Sequence, residues 1–208
     1  VIMCHGDNNG LVLPPRIAPI QVVVLPIAQH KPGVLEKAQE LVDRLKAAGL
    51  RVQGDFTDNS PGWKFAEYEM KGVPVRIELG PRDIESGNCV LVTRHNREKT
   101  ILSLDGIADA VKEKLAAVRD ALYQNALENR EKRTYTCKTL DEITAALEQN
   151  GDGFVKAMWC GEEACEDKVK ECTGVGSRCI PFEQEQISDV CVCCGKPAKH
   201  MVMWGKAY

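Results

Sequence analysis

No apolar run in this 208-residue chain approaches the ~20 residues that a membrane-spanning helix needs, so no helical membrane span is expected. No GxxxxGK[ST] phosphate loop, HExxH zinc helix or GxSxG nucleophile elbow occurs, and the residues make no complete catalytic site. A surplus of positive charge is missing as well. Lys and Arg number 27 against 30 Asp and Glu, a net charge of −3, so no global basic field announces a nucleic-acid partner. Any such partner has to be met by a local site. No signal peptide is visible, and Cys4, Cys89 and Cys137 lie scattered, as in reduced cytosolic proteins. Internal repeats and low-complexity segments are lacking too. The chain starts at Val1 rather than Met, and reads as a piece of a longer protein.

What is present is ordinary in bulk and unusual in detail. A hydrophobic fraction of 44% and a charged fraction of 27% fit a soluble globular protein of one large or two small domains. Val1 to Pro19, rich in Gly and Pro, reads as a tail entering a domain. Gln21 to Leu25 is a continuous β-branched run, typical of a buried strand. Over Gly33 to Ala48, Leu35, Ala38, Leu41, Val42 and Leu45 fall on one helical stripe that Gly49 ends, and Leu50 to Asp55 predicts a second strand. Strand, helix, strand in that compass is a βαβ unit with parallel strands and a right-handed crossover.

Trp63 to Met70 predicts a shorter helix, Val75 to Leu79 an alternating strand, and Gly80-Pro81-Arg82-Asp83 a turn. Cys89 to Thr93 and Thr100 to Leu104 flank a hairpin turn at His95-Asn96-Arg97-Glu98. A long helix then starts from an Asp105 N-cap, with Ile107, Val111, Leu115, Val118 and Leu122 inward. Polar residues near Asn129 to Cys137 mark a boundary. Beyond it lies a smaller α+β lobe with a helix near Leu140 to Glu148 and a strand over Gly153 to Trp159.

Seven of the ten cysteines fall between residues 160 and 194 of that lobe, and two short-spaced pairs stand out: Cys160-x4-Cys165 and Cys191-x2-Cys194. Four thiolates so paired form a closed tetrahedral Zn²⁺ site, structural rather than catalytic. Gly195 after Cys194 lets backbone N–H groups turn toward the sulfur. The register within Cys191-Val192-Cys193-Cys194 stays open, because Cys193 is also within reach as the fourth ligand. A disulfide cluster and a thiol redox pair are the competing readings, and Cys172 and Cys179 read as packed thiols. Residues 160–194 carry eight acidic and three basic side chains, which makes this lobe a poor phosphate binder.

Three further segments carry chemistry. In Ser60-Pro61-Gly62-Trp63-Lys64-Phe65 a helix N-terminus and a lysine suit phosphate, and the aromatics suit an unstacked base; a capped helix with two core aromatics is the alternative. Arg76 and Glu78 share one strand face. An arginine fork matches guanine O6 and N7, and a carboxylate accepts from guanine N1–H and N2–H, unless the two form only a solvated pair. His5 and Asp7 suggest an acid–base pair, but with no nucleophile nearby a structural loop is the better reading.

Taken together, the segments His5-Gly6-Asp7, Leu11-Val12-Leu13-Pro14-Pro15-Arg16, Ser60 to Phe65, Lys71-Gly72-Val73-Pro74 and Glu78 to Asp83 resemble the C-terminal part of prolyl-tRNA synthetase of the archaeal and eukaryotic type. The two cysteine pairs, Arg178 to Phe182 and the terminal Ala207-Tyr208 extend the resemblance over essentially the whole chain. It implies an α/β anticodon-binding domain with a mixed, mainly parallel five-stranded sheet flanked by helices, then a small α+β zinc-binding domain. Residues 1–18 become the tail of a class II catalytic domain, 19–128 the anticodon domain and 129–208 the zinc domain.

The implied function is recognition of the two anticodon guanines of tRNA(Pro) within a proline–tRNA ligase. By position in the matched motifs, Phe65, Glu69, Arg76, Arg82 and Asp83 become the recognition residues. The two cysteine pairs match the family's zinc-bearing domain, which makes Cys160, Cys165, Cys191 and Cys194 the expected ligands of a structural Zn²⁺, although many relatives carry a Cys-x-Cys second pair that would put Cys193 in place of Cys194. Tyr208 is implied to support the catalytic pocket from outside. ATP and Mg²⁺ belong to a catalytic domain that this sequence does not include, so the piece alone is expected to be inactive. The family further implies a cytoplasmic homodimer with no membrane or DNA partner. A stand-alone zinc-stabilised α/β protein-interaction module is the alternative, and it would have no need of the Gly-Val-Pro strand and GPRD segment.

Overall fold

The computed structural model describes residues 1–207, and the chain divides into two compact units, Val1–Ala126 and Leu127–Tyr208. Among the described residues no helix is long and apolar enough to cross a membrane.

The first unit runs α1 (Ile2–His5), β1 (Val22–Pro26), α2 (Val34–Ala47), β2 (Val52–Gly54), α3 (Pro61–Met70), β3 (Val75–Leu79), α4 (Pro81–Glu85), β4 (Asn88–Thr93), β5 (Lys99–Ser103) and α5 (Ile107–Lys132), the last continuing past the division. Its sheet has the order β2-β1-β3-β4-β5. Strand β1 is apolar throughout because both of its faces are covered. Val22 and Val24 pack with Leu41 and Val42 of α2 and Val111 of α5, while Val23 and Leu25 pack with Tyr68 of α3 and Val73. All five inward residues expected of α5 are buried. On α2 the buried stripe starts at Val34, and Leu35 turns outward.

Several expectations are corrected here. The five-stranded sheet is mixed but not mainly parallel: β1 pairs in parallel with β2 and β3, whereas β3–β4 and β4–β5 are antiparallel. The physical reason is connection length, since residues 80–87 are too few for the crossover that a parallel neighbour requires. Gly80 to Asp83 is not a free turn but the start of α4. Strand β2 is shorter than expected, α3 starts two residues earlier at Pro61, and Gly106 rather than Asp105 precedes α5.

Coverage of the two sheet faces decides where a ligand can sit. Helices α2 and α5 cover one face along Val75, Ile77 and Leu91. On the other face α3 packs on β1, and no helix of this unit joins it in the cluster there. Registered pairing lines up Arg76, Val92 and Lys99 on one rung of that face, and Glu78, Val90 and Ile101 on the next. Ile101 is 71% exposed, which shows how open this end is.

The second unit adds β6 (Thr134–Thr136), α6 (Leu140–Asn150), β7 (Phe154–Trp159), α7 (Glu163–Thr173), β8 (Val175–Cys179) and β9 (His200–Lys206). Its sheet has the order β6-β7-β9-β8, with β6–β7 parallel and both pairings of β9 antiparallel. Ile143 of α6 and Val169 of α7 pack on Val155, Ala157, Val202 and Trp204, the last fully buried.

Candidate nucleic-acid interface and metal centre

Helix α3 is built to hold its N-terminus: the Ser60 hydroxyl accepts from the Trp63 N–H at 3.4 Å, and Pro61 fills the first turn. Phe65 and Glu69 are one turn apart and so share a face. That face meets Arg76 from β3. The Arg76 guanidinium lies 4.1 Å from the Phe65 ring centroid, its Nη1 donates to Glu69 Oε1 at 3.3 Å, and its Nε donates to Glu78 Oε1 at 3.0 Å. Arg97 donates to the other Glu69 oxygen at 3.4 Å, and Lys99 stands 4.0 Å from Glu78 Oε2. Three cations thus surround two carboxylates, which gives a local positive balance on a chain of net charge −3.

Arg76 is 11% exposed and clamped by stacking and two ion pairs, so its fork is pre-organised rather than solvated. Its remaining N–H groups can donate to base acceptors, and the neighbouring carboxylates can accept base N–H groups. Phe65, Glu69 and Arg76 are therefore brought together. Glu78 completes them.

Arg82 and Asp83 lie elsewhere, on α4 at the carboxyl end of β3. Among the described residues no hydrogen bond or ion pair joins them to the first three. Asp83 Oδ2 accepts from the Gly80 N–H at 2.8 Å, fixing the start of α4, and Arg82 is exposed. The chain leaves β1 for β2 through α2, on one face, and reaches β3 through α3, on the other. The carboxyl ends of β1 and β3 are therefore a topological switch point, where open α/β sheets bind ligands. Beside the β1 end lies a cleft of about 310 Å³ lined by Gln29, His30, Asp58, Asn59 and Ser60.

Lys64 does not serve as a free phosphate ligand. It is buried, donates to the Asp55 carbonyl at 2.9 Å and lies 3.5 Å from Asp55 Oδ1. Trp63 is half exposed. His5 and Asp7 form no acid–base pair. Asp7 instead takes a bidentate bond from Arg94, at 2.8 and 2.7 Å, which holds its carboxyl well below the usual carboxylate range. His5 is pushed down by burial and by the N-terminal charge. Arg94, whose side chain is 2% exposed, also donates from Nε to the Glu69 carbonyl at 2.8 Å. Sequence reasoning missed Arg94 and Arg97, because an arginine beside a hairpin turn carries no signal of what it faces.

In the second unit the thiols of Cys160, Cys165, Cys191 and Cys194 all lie within 4.8 Å of one another, with Cys160 and Cys194 at 3.8 Å. A tetrahedron of Zn–S bonds of about 2.3 Å has edges of about 3.8 Å, so the donor set fits a four-thiolate metal ion. Both halves share one local device. In Cys160-Gly161-Glu162 and Cys194-Gly195-Lys196 the glycine takes the left-handed conformation, with φ of +91° and +71°. Burial raises the Cys160 and Cys165 thiols, whereas the Lys196 N–H leads in lowering Cys194 to about 7. Cys193 is half-buried beside this cluster, packed toward Trp159 and Val192 as well. Cys172 and Cys179, expected as packed thiols, are exposed. Tyr208 lies outside the described residues.

Residues 21–114, which hold the mixed α/β sheet and the clamped arginine–carboxylate–aromatic cluster, match the family model described as "Anticodon binding domain", and this gives the class of the first unit. Residues 140–208 match "Prolyl-tRNA synthetase, C-terminal". Over its whole length the chain is 57% identical to a proline–tRNA ligase of Clostridium botulinum (strain Okra / Type B1), covering 43% of that protein. A Clostridium novyi (strain NT) proline–tRNA ligase is likewise 57% identical with 43% covered, and one from Lachnospira eligens is 58% identical over 210 residues, again with 43% covered. The chain belongs to the prolyl-tRNA synthetase family, matching its C-terminal part, and spans 43% of the length of the curated relatives it matches.

Proposed function

We propose that this chain is the tRNA-reading part of a proline–tRNA ligase, whose full activity is ATP-dependent attachment of proline to tRNA(Pro). In this reading residues 1–18 end a class II catalytic domain, which supplies the ATP and Mg²⁺ chemistry, 19–128 read the anticodon and 129–208 carry the metal. Phe65, Glu69, Arg76, Arg82 and Asp83 recognise the two anticodon guanines, and Tyr208 supports the catalytic pocket. The observation that carries the reading is the Phe65–Arg76–Glu69 clamp, with its donors and acceptors held ready on an open sheet face. Zn²⁺ held by Cys160, Cys165, Cys191 and Cys194 is structural, since four protein thiolates leave no open position. The enzyme works as a cytoplasmic homodimer.

Binding of a tRNA(Pro) transcript, against transcripts with either anticodon guanine replaced, tests the assignment. Each lost bidentate contact is expected to weaken binding by about 1–3 kcal/mol. Equal binding to all transcripts would overturn it and leave a metal-stabilised protein-interaction module as the better reading.

A further inference from the structure

His5-Gly6-Asp7 makes none of the proposed guanine contacts, yet it is joined to them through one buried side chain. Arg94 gives Nη1 and Nη2 to the Asp7 carboxylate and Nε to the Glu69 carbonyl. Glu69 stands in the last turn of α3, where carbonyls have no partner within the helix. Its carbonyl is met by Arg94 and by the Gly72 N–H at 3.0 Å. The same turn is gripped from the N-terminal segment: Leu11 N–H donates to the Met70 carbonyl at 3.0 Å, and Gly10 sits so close that a Cβ there would lie 2.6 Å from Met70 Cα.

We propose that Asp7 and Arg94 are a positioning pair that sets the Glu69 carboxylate for guanine, so that the N-terminal segment belongs to the anticodon reader without touching a base. This rests on the anticodon reading above. A guanidinium buried at 2% exposure needs a counter-charge, and among the described residues Asp7 is its one ion-pair partner. Without that charge Arg94 has to draw in water or swing outward, and the end of α3 loses its anchor. Directed contacts tolerate only about 0.5 Å of drift. Glu69 is therefore displaced relative to Arg76, while Arg82 and Asp83, with no bond to Arg94, keep their place at the end of β3.

The test uses an anticodon stem–loop of tRNA(Pro) in which each guanine in turn is replaced by inosine, which lacks the N2 amino group. Affinities of the full chain are compared for wild type, Glu69→Gln, Asp7→Asn and Arg94→Lys. Wild type is expected to prefer guanine about tenfold at both positions. Glu69→Gln loses the preference at one of them, which identifies the base it reads. Asp7→Asn is then expected to lose the preference at that same base and keep it at the other. The ratio is taken within one protein, so an unfolded fraction cancels. Should Asp7→Asn not fold, Arg94→Lys carries the same expectation. Preferences unchanged at both bases, or reduced equally at both, overturn the positioning role. A wild type with no preference at either base removes the anticodon reading itself, a failure visible before any variant is made.

Discussion

On the proposed function Arg76 concentrates the reading chemistry in one side chain, because stacking, ion pairing and strand placement all fix the same fork. Replacing it with lysine keeps the charge but loses planarity and the paired donors. Arg76→Lys should therefore weaken stem–loop binding by about 1–3 kcal/mol. Circular dichroism should show an unchanged fold, and full-strength binding by the variant would remove Arg76 from the site. Among the cysteines, Cys194→Ser should abolish metal in elemental analysis while Cys193→Ser keeps one ion per chain. The opposite pattern would move the fourth ligand. Sequence reasoning reached Cys160, Cys165 and Cys191 from spacing alone. Between Cys193 and Cys194 it could not choose, because either reaches far enough, and only the fold shows that the Cys194 thiol is the one gathered with the other three. Arg94 was invisible for a related reason: its partner Asp7 lies far away in the chain, and no local pattern announces a long-range ion pair.

At the scale of elements, the pair between the N-terminal segment and the β4–β5 turn gives a pH signature. Asp7 is depressed below its reference value of 3.8, foremost by the bond from Arg94. Its contribution to stability is thus full above that value and drains away as pH falls through the lower, folded-state value. A pH series of urea midpoints should show this acid-side loss, and Asp7→Asn should remove it; identical acid limbs would contradict the assignment. Asp7 is 40% exposed, so the effect is smaller than for a fully buried pair. Helix α3 gives a second prediction: Ser60→Ala, which deletes its cap, should cost about 1 kcal/mol in the same assay. The strands and helices that were legible are those with continuous or periodic apolar runs, such as β1 and α5. The sheet's sense was not, because β4 carries the same apolar residues whichever way it runs. Only the short link from β3 decides the direction. The buried Lys64 escaped for a similar reason, since its partner Asp55 comes from another element.

On the scale of the whole molecule, each unit has its own core, and only the second holds the thiol cluster. Chelation should therefore loosen residues 134–206 and spare residues 22–122, read by amide hydrogen exchange before and after metal removal. Uniform protection in both states would show that the metal does not support the second core. The order of strands has a further consequence, for synthesis rather than stability. β9 comes after both β7 and β8 in the chain, yet it lies between them. Until residues 200–206 emerge, β7 and β8 have open edges facing one another with nothing between them, the condition that favours pairing with a foreign chain. A nascent chain stalled at residue 199 would carry a finished first unit and a second sheet still open to foreign strands.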